Sequence, residues 1–193
     1  MKKKEIIISL IIIILCVGIY FGVRFFLDKD LENQKQELQE TIDKYGTVEQ
    51  ETISEIVHKF NTELNNFEGS GYADDTYLSI SNDMYWYGLT EDISCYFKPV
   101  EFTENKDNDI LEFSAIHFET DFEDEETIKE YLKYLIKANN QELTDDEIKT
   151  LIDDAKTLSK DKKSANNGKG ISVDFVKTEE VSEYHVKRLY EKE

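Results

Sequence analysis

The densest group of aromatic side chains in the sequence is the run Tyr85-Trp86-Tyr87. In a β-strand successive side chains point to opposite faces, so Tyr85 and Tyr87 share one face and Trp86 takes the other. One face must belong to the core, because aromatic residues favour half-buried sheet surfaces. The other face could stack on a sugar or hold a peptide. We name Tyr85, Trp86 and Tyr87 as the candidate binding surface.

The nucleophiles and bases of the chain form no recognisable catalytic motif. Cys95 and His117 lie on segments predicted to be neighbouring strands, and a Cys–His pair can act as nucleophile and base. Cys95, however, alternates with Ile93 and Phe97, which predicts a buried structural thiol. No Gly-x-Ser-x-Gly, His-Glu-x-x-His or P-loop motif occurs. We assign no catalytic residue and keep an envelope hydrolase as an alternative function.

Two acidic runs carry the oxygen ligands that calcium prefers. The first contains Asp107, Asp109 and Glu112, and the second covers residues 121–126. Neither matches the EF-hand loop, because the central glycine and the terminal glutamate are missing. The three histidines lie far apart, without the spacing that a zinc site needs. We expect no metal and no cofactor, and keep an extracytoplasmic calcium- or ligand-binding subunit as a second alternative.

The charge balance excludes one class of partner. Acidic residues outnumber basic ones 42 to 23, giving a formal net charge of -19, whereas nucleic-acid binders present a basic patch. Positive charge is concentrated locally, and we interpret these lysines as a solvated loop rather than a contact with anionic lipid. They are Lys156, Lys160, Lys162, Lys163 and Lys169. Lysine outnumbers arginine 21 to 2, a composition typical of bacteria with AT-rich genomes.

The N-terminal segment predicts a membrane anchor. Residues 6–27 contain a single charge, Arg24. As a helix they would span roughly 33 Å, against about 30 Å for a bilayer core. A cleaved signal peptide has a shorter apolar region of about 7 to 15 residues, and a lipoprotein needs a small residue where this chain has Leu15 before Cys16. The lysines of residues 1–5 favour a cytoplasmic N-terminus and an extracellular C-terminal domain.

Two features of the N-terminal half bear on self-association. Gly18 and Gly22 form a Gly-x-x-x-Gly pattern within the span, which can bring two membrane helices together but also occurs by chance. Residues 28–46 are rich in Gln, Glu and Lys and predict a helical stalk that Gly46 ends. Its apolar heptad pattern is too short to predict a coiled coil. A homo-oligomer formed through either feature is therefore a hypothesis.

Residues 47–193 predict one extracytoplasmic acidic α+β domain on a mostly antiparallel sheet, in the order helix, four strands, two helices, two strands. The periodicities place a helix over residues 53–67 and strands over Tyr77–Ile80, Met84–Leu89, Ile93–Phe102 and Ile110–Phe118. Two helices follow: one covers Ile128–Ile136, and the other opens with a capping-box pattern at Thr144 and Glu147 and continues to Leu158. The last strands cover residues 171–175 and Val181–Tyr190. Residues 159–170 are expected to form a polar loop.

These features favour a single-pass, membrane-anchored binding or scaffold protein of a bacterial cell envelope. The anchor would confine the domain near the membrane and raise its effective concentration toward a protein partner there. The sequence does not specify that partner.

Overall fold

The computed structural model describes residues 22–27, 29–33, 35–37, 39–65, 79–100, 109–166 and 169–190. The chain divides into two compact units, Met1–Asp43 and Lys44–Glu193. The described residues from 22 to 45 are helical, and Gly46 follows with a φ of 69°. Among the described residues no helix has the length and apolarity to cross a membrane. Most of the predicted anchor, Gly18 included, lies outside them, so the anchor stays a prediction.

The second unit is an α+β domain, as the sequence predicts. Seven strands form one sheet in the order β1-β2-β3-β4-β7-β6-β5, and every neighbouring pair is antiparallel. The elements are α1 (Ile53–Asn65), β1 (Ser79–Ser81), β2 (Met84–Gly88), β3 (Ile93–Pro99), β4 (Leu111–Glu119), α2 (Glu125–Asn139), α3 (Asp145–Leu158), a 3-10 turn (Ser159–Asp161), β5 (Ala165–Asn166), β6 (Ile171–Lys177) and β7 (Val181–Arg188).

Two predictions for the sheet need correction. β3 ends at Pro99 rather than Phe102, and its pairing with β4 shifts between Lys98 and Pro99, because proline cannot donate to the ladder. The predicted loop over residues 159–170 contains β5, a two-residue strand paired with β6. The predicted start of the first strand at Tyr77 lies outside the described residues, within which β1 covers Ser79–Ser81.

The helices begin where local capping satisfies their free amide groups. At α3 the Thr144 hydroxyl accepts from the Glu147 amide at 3.3 Å, and the Glu147 carboxylate accepts from the Thr144 amide at 2.8 Å. This confirms the predicted capping box. At the start of α2 the Asp124 carboxylate accepts a hydrogen bond from the backbone amide of Thr127. The apolar stripe predicted for α1 is buried, with Ile56 and Phe60 fully enclosed.

All three helices pack on one face of the sheet, where the core lies. The Phe60 ring of α1 meets the Phe97 ring of β3 edge-on at 6.3 Å. The Asn139 amide of α2 donates to the Ser114 hydroxyl of β4 at 3.0 Å, and α3 contacts β5 and β6. Strand alternation sends the other half of the side chains to the opposite face, where none of α1, α2 and α3 packs. We call this the helix-free face.

The start of the domain is tied to the end of its last strand. The Arg188 side chain is only 4% exposed; it donates to the Glu51 carboxylate at 3.1 Å and to the Glu49 carbonyl at 2.6 Å. Glu51 also pairs with Lys59 of α1. Nearby, Gly170 has a φ of 72°, and a Cβ there would lie 2.7 Å from the Thr47 carbonyl carbon. A side chain at this position would therefore disrupt the closure.

Candidate functional site

Six polar and aromatic side chains gather on the helix-free face over strands β2, β3, β4 and β7. The register aligns Trp86, Tyr96, Ala115 and His185 in one row across these four strands. The adjoining row pairs Ser94 with His117 and His117 with Glu183. We call the following residues the Glu183 cluster: Trp86, Tyr96, Phe113, His117, Glu183 and His185.

Ring contacts fix the aromatic part of the Glu183 cluster. Trp86 lies 4.6 Å from Tyr96 between ring centroids and meets the His117 ring edge-on at 5.3 Å. Phe113 stacks on His185 at 5.1 Å with an interplanar angle of 25°. The Trp86 indole nitrogen donates to the Ser81 carbonyl, so its orientation is set. Aromatic pairs of this kind add about 0.5–1.5 kcal/mol each beyond the area they bury.

Glu183 is the electrostatic centre of the cluster. Its carboxylate lies 2.8 Å from Nδ1 of His117 and 2.8 Å from Nε2 of His185, and it accepts from the Tyr96 hydroxyl at 3.2 Å. The hydrogen bonds from His185, foremost, and from His117 lower the pKa of Glu183 to about 2 although partial burial opposes them. Burial and the neighbouring carboxylate raise the pKa of Tyr96. At neutral pH Glu183 is therefore ionised and Tyr96 is a donor.

Each of the two imidazoles has a second ring nitrogen. A carboxylate only accepts, so the ring nitrogens that face Glu183 carry hydrogens, and the second nitrogens are Nε2 of His117 and Nδ1 of His185. Neither of these atoms forms a hydrogen bond within the described part of the chain. The cluster can therefore form hydrogen bonds with polar groups of a ligand through these nitrogens while its rings provide apolar contact.

Two ion pairs lie beside the cluster on the helix-free face. Lys98 lies 3.2 Å from Glu112, and Lys187 lies 2.5 Å from Asp174. The Lys98 ammonium also sits 5.3 Å from the centroid of the Phe113 ring. Glu119, on the same face, is exposed and has no ion pair among the described residues. A ligand on this face thus meets aromatic rings beside charged groups, a surface suited to a mixed polar and apolar partner.

The structure divides the candidate binding surface between the two faces. Tyr85 and Tyr87 lie in the core at 0% and 1% exposure, and the Tyr85 hydroxyl donates to buried Asp109. Trp86 alone reaches the helix-free face, where it is half-buried. The alternation predicted from the sequence places the three rings as expected, and ligand binding by Trp86 stays a prediction.

The structure contradicts the pairing of Cys95 with His117. Cys95 is fully buried on the core face opposite Ile116, whereas His117 lies on the helix-free face. Burial raises the pKa of the Cys95 thiol well above its usual range, as fits a structural residue. Ser94 lies opposite His117, but the described residues show no hydrogen bond between them. Within the described residues, neither Cys95 nor Ser94 is therefore hydrogen-bonded to these imidazoles.

The acidic runs have structural partners rather than a shared cavity. Asp109 is 1% exposed and accepts a hydrogen bond from the Tyr85 hydroxyl. Glu112 forms an ion pair with Lys98, and Asp107 lies outside the described residues. In the second run Asp124 caps α2 and Glu125 pairs with Lys156 at 2.6 Å. Across the part of the chain that is described, no group of three or more His, Cys, Asp or Glu residues could hold a metal ion.

The domain is thus an α+β fold with a seven-stranded antiparallel sheet and an aromatic and histidine cluster on the face that α1, α2 and α3 leave free. The chain matches no protein-family model, and no curated protein or solved structure is similar to it. Its function therefore has to be inferred from its own residues.

Replacement of Glu183 by Gln is expected to remove an acid-sensitive part of the stability. Because the pKa of Glu183 is lowered from 4.5 to about 2 on folding, its contribution is complete above pH 4.5 and is lost as the pH falls toward 2. We expect the variant to be less stable by about 2–3 kcal/mol at pH 6 and the difference to shrink below pH 4. Urea unfolding of the full-length protein in detergent, followed by the fluorescence of Trp86, measures this.

The matched control is Glu180→Gln, at an exposed position of the hairpin that leads into β7. It should leave the acid profile of the wild type unchanged. An identical profile for the Glu183 and Glu180 variants would show that the three hydrogen bonds do not stabilise the ionised carboxylate.

Proposed function

We propose that this protein is a single-pass membrane protein of a cell envelope, with residues 1–5 in the cytoplasm, residues 6–27 as its anchor and the domain outside. Its role is to bind a protein partner through the helix-free face. The observation that carries this proposal is the position of the Glu183 cluster. Rings and imidazole nitrogens are grouped on the face of the sheet that α1, α2 and α3 leave free.

Binding is favoured over hydrolysis by the chemistry of the cluster. A hydrolase of the Ser–His or Cys–His type needs a nucleophile within hydrogen-bond reach of its base. Cys95 lies on the opposite face, and among the described residues Ser94 makes no bond to His117. Trp86 lies against the His117 ring instead. Tyr96 is 3% exposed and lies against Trp86, so Trp86 is the aromatic ring that a partner can contact. Tryptophan at the centre of a contact surface commonly carries much of the binding free energy.

The predicted membrane anchor would strengthen binding to a partner in the same membrane. Confinement of two partners to one membrane converts association into an almost intramolecular step and raises the effective concentration of each. A weak contact on the helix-free face would then suffice for stable association. Self-association through Gly18 and Gly22, or through residues 28–46, belongs to the same proposal and would add avidity.

The proposal is tested by site-specific photocrosslinking in intact cells. Val176 is 41% exposed, and its register with Glu183 places it on the helix-free face. Asp154 is exposed on α3, on the far side of the domain, and provides the matched control position. With p-benzoylphenylalanine at each position in turn, we expect a defined protein crosslink from position 176 and none from position 154.

The Trp86→Ala substitution in the position-176 variant should abolish that crosslink, whereas Trp86→Phe should retain part of it. Circular dichroism of both purified variants distinguishes loss of binding from loss of folding. Equal crosslinking from positions 176 and 154, or a crosslink indifferent to Trp86→Ala in a folded variant, would contradict the proposal.

A further inference from the structure

A separate cavity of about 100 Å³ opens at the other side of the sheet, where α2 begins. Its apolar wall consists of Phe118, Phe175, Tyr184 and Ile128. The Tyr184 ring lies 4.7 Å from Phe175 and 6.2 Å from Phe118 between centroids. An apolar cavity of about 150 Å³ accepts a whole benzene molecule, so this smaller, open cavity can hold part of a ring or of a short alkyl chain while the rest extends from its mouth.

The Tyr184 hydroxyl is the polar group of the aromatic wall. Tyr184 is 4% exposed as a whole and lines the cavity, and its hydroxyl forms no hydrogen bond within the described residues. The hydroxyl oxygen itself is accessible rather than closed off in the core, so a ligand that enters the cavity can reach it. Burial of the ring, with the nearby carboxylates of Glu125 and Asp153, raises the pKa of Tyr184 to about 12, so the group is a donor at neutral pH.

The rim of the cavity is positive in an otherwise acidic protein. Lys129, Lys156 and Lys177 line it together with a single acid, Glu125, while the chain as a whole carries a formal charge of -19. Lys156 is paired with Glu125 at 2.6 Å. Lys177 forms no ion pair with any described residue. An ammonium group is therefore available beside the aromatic wall.

We propose that this cavity binds a small amphipathic carboxylate, with its ring or alkyl body against Phe118, Phe175 and Tyr184 and its carboxylate between Lys177 and the Tyr184 hydroxyl. Aromatic walls alone would accept neutral apolar compounds, and lysines alone would accept any anion. The two together select a ligand that has both parts. This site lies on the helix-covered face and does not depend on the function proposed for the Glu183 cluster.

The test uses benzoate as the probe and the full-length protein in lipid nanodiscs, with thermal unfolding followed by Trp86 fluorescence. We expect millimolar benzoate to raise the unfolding temperature by a few degrees, because a ligand bound only to the native state stabilises it. Benzyl alcohol, which lacks the charge, and inorganic phosphate, which lacks the ring, should have much smaller effects.

The variants Lys177→Gln and Tyr184→Phe should each weaken benzoate binding about tenfold, the loss typical of one hydrogen bond to a charged group. Both keep the size of the side chain, so folding should be preserved. Lys160→Gln, at an exposed lysine that does not line the cavity, should bind benzoate like the wild type. Equal stabilisation by phosphate and benzoate, unchanged affinity in both variants, or no stabilisation by benzoate would overturn the proposal.

Discussion

Deletion of residues 6–27 is expected to move the protein completely from the membrane fraction to the soluble fraction. The segment is the longest apolar run of the chain, with Arg24 as its only charge, whereas the rest of the sequence is strongly acidic. Burial of about twenty apolar residues in a bilayer is effectively irreversible, while an acidic domain has no electrostatic attraction to anionic lipid. Carbonate extraction of cell membranes followed by immunoblotting measures the distribution.

The matched control is deletion of residues 28–46, which removes the predicted stalk and leaves the predicted anchor. This variant should stay in the membrane pellet. If the protein lacking residues 6–27 also stayed in the pellet after carbonate extraction, the predicted anchor would be wrong. Release of the wild-type protein by carbonate would be equally contrary to it.

Substitution of Arg188 by Ala is expected to lower the free energy of unfolding by about 3–5 kcal/mol, the usual effect of breaking a buried ion pair from one side. The guanidinium is almost fully buried and joins the end of β7 to Glu51 and to the Glu49 carbonyl. Its removal would leave the partly buried Glu51 carboxylate with Lys59 alone. Urea unfolding of the full-length protein in detergent measures the change.

Lys187→Ala provides the control for Arg188→Ala. Lys187 directly precedes Arg188 on β7 and also forms an ion pair, with Asp174. Its side chain, however, is 45% exposed. Exposed pairs contribute about 0–1 kcal/mol, so this variant should stay close to the wild type. Comparable destabilisation by both substitutions would show that burial does not govern the contribution of these pairs.

Most of the fold follows from local sequence patterns. The stripe Ile53, Ile56, Val57, Phe60 and Leu64 predicts α1 because the helical repeat places all five on one side, and the structure buries them. Thr144 and Glu147 predict the start of α3 for a similarly local reason. β5 could not be predicted, because two residues carry no period and this strand exists only through its pairing with β6.

The Glu183 cluster could be predicted only in part. Trp86 stands out as the single tryptophan within an aromatic run. Tyr96 and Glu183, in contrast, are 87 residues apart and meet only because β4 lies between β3 and β7 in the sheet. Alternation shows that His185 and Glu183 share a face, but which face and which neighbours depend on strand order and register. These are properties of tertiary structure that a single sequence does not encode in a local pattern.

Asp109 shows the opposite case, in which the sequence pattern suggests a calcium ligand but the structure buries the side chain. Among the acids near it in the sequence it resembles a calcium ligand. In the structure it is 1% exposed and accepts a hydrogen bond from Tyr85 of β2. The distinction between a solvated ligand and a buried acceptor depends on a contact across 24 residues of sequence, which composition does not reveal.

The proposed topology places the domain outside the membrane and the N-terminus in the cytoplasm. Labelling of single introduced cysteines with a membrane-impermeant maleimide in intact cells tests it most directly, because Cys95 is fully buried and Cys16 lies within the predicted anchor. We expect Asp161→Cys, on an exposed turn of the domain, to be labelled in intact cells. We expect Lys3→Cys to be labelled only after permeabilisation. Labelling of Lys3→Cys in intact cells with Asp161→Cys protected until permeabilisation would contradict it.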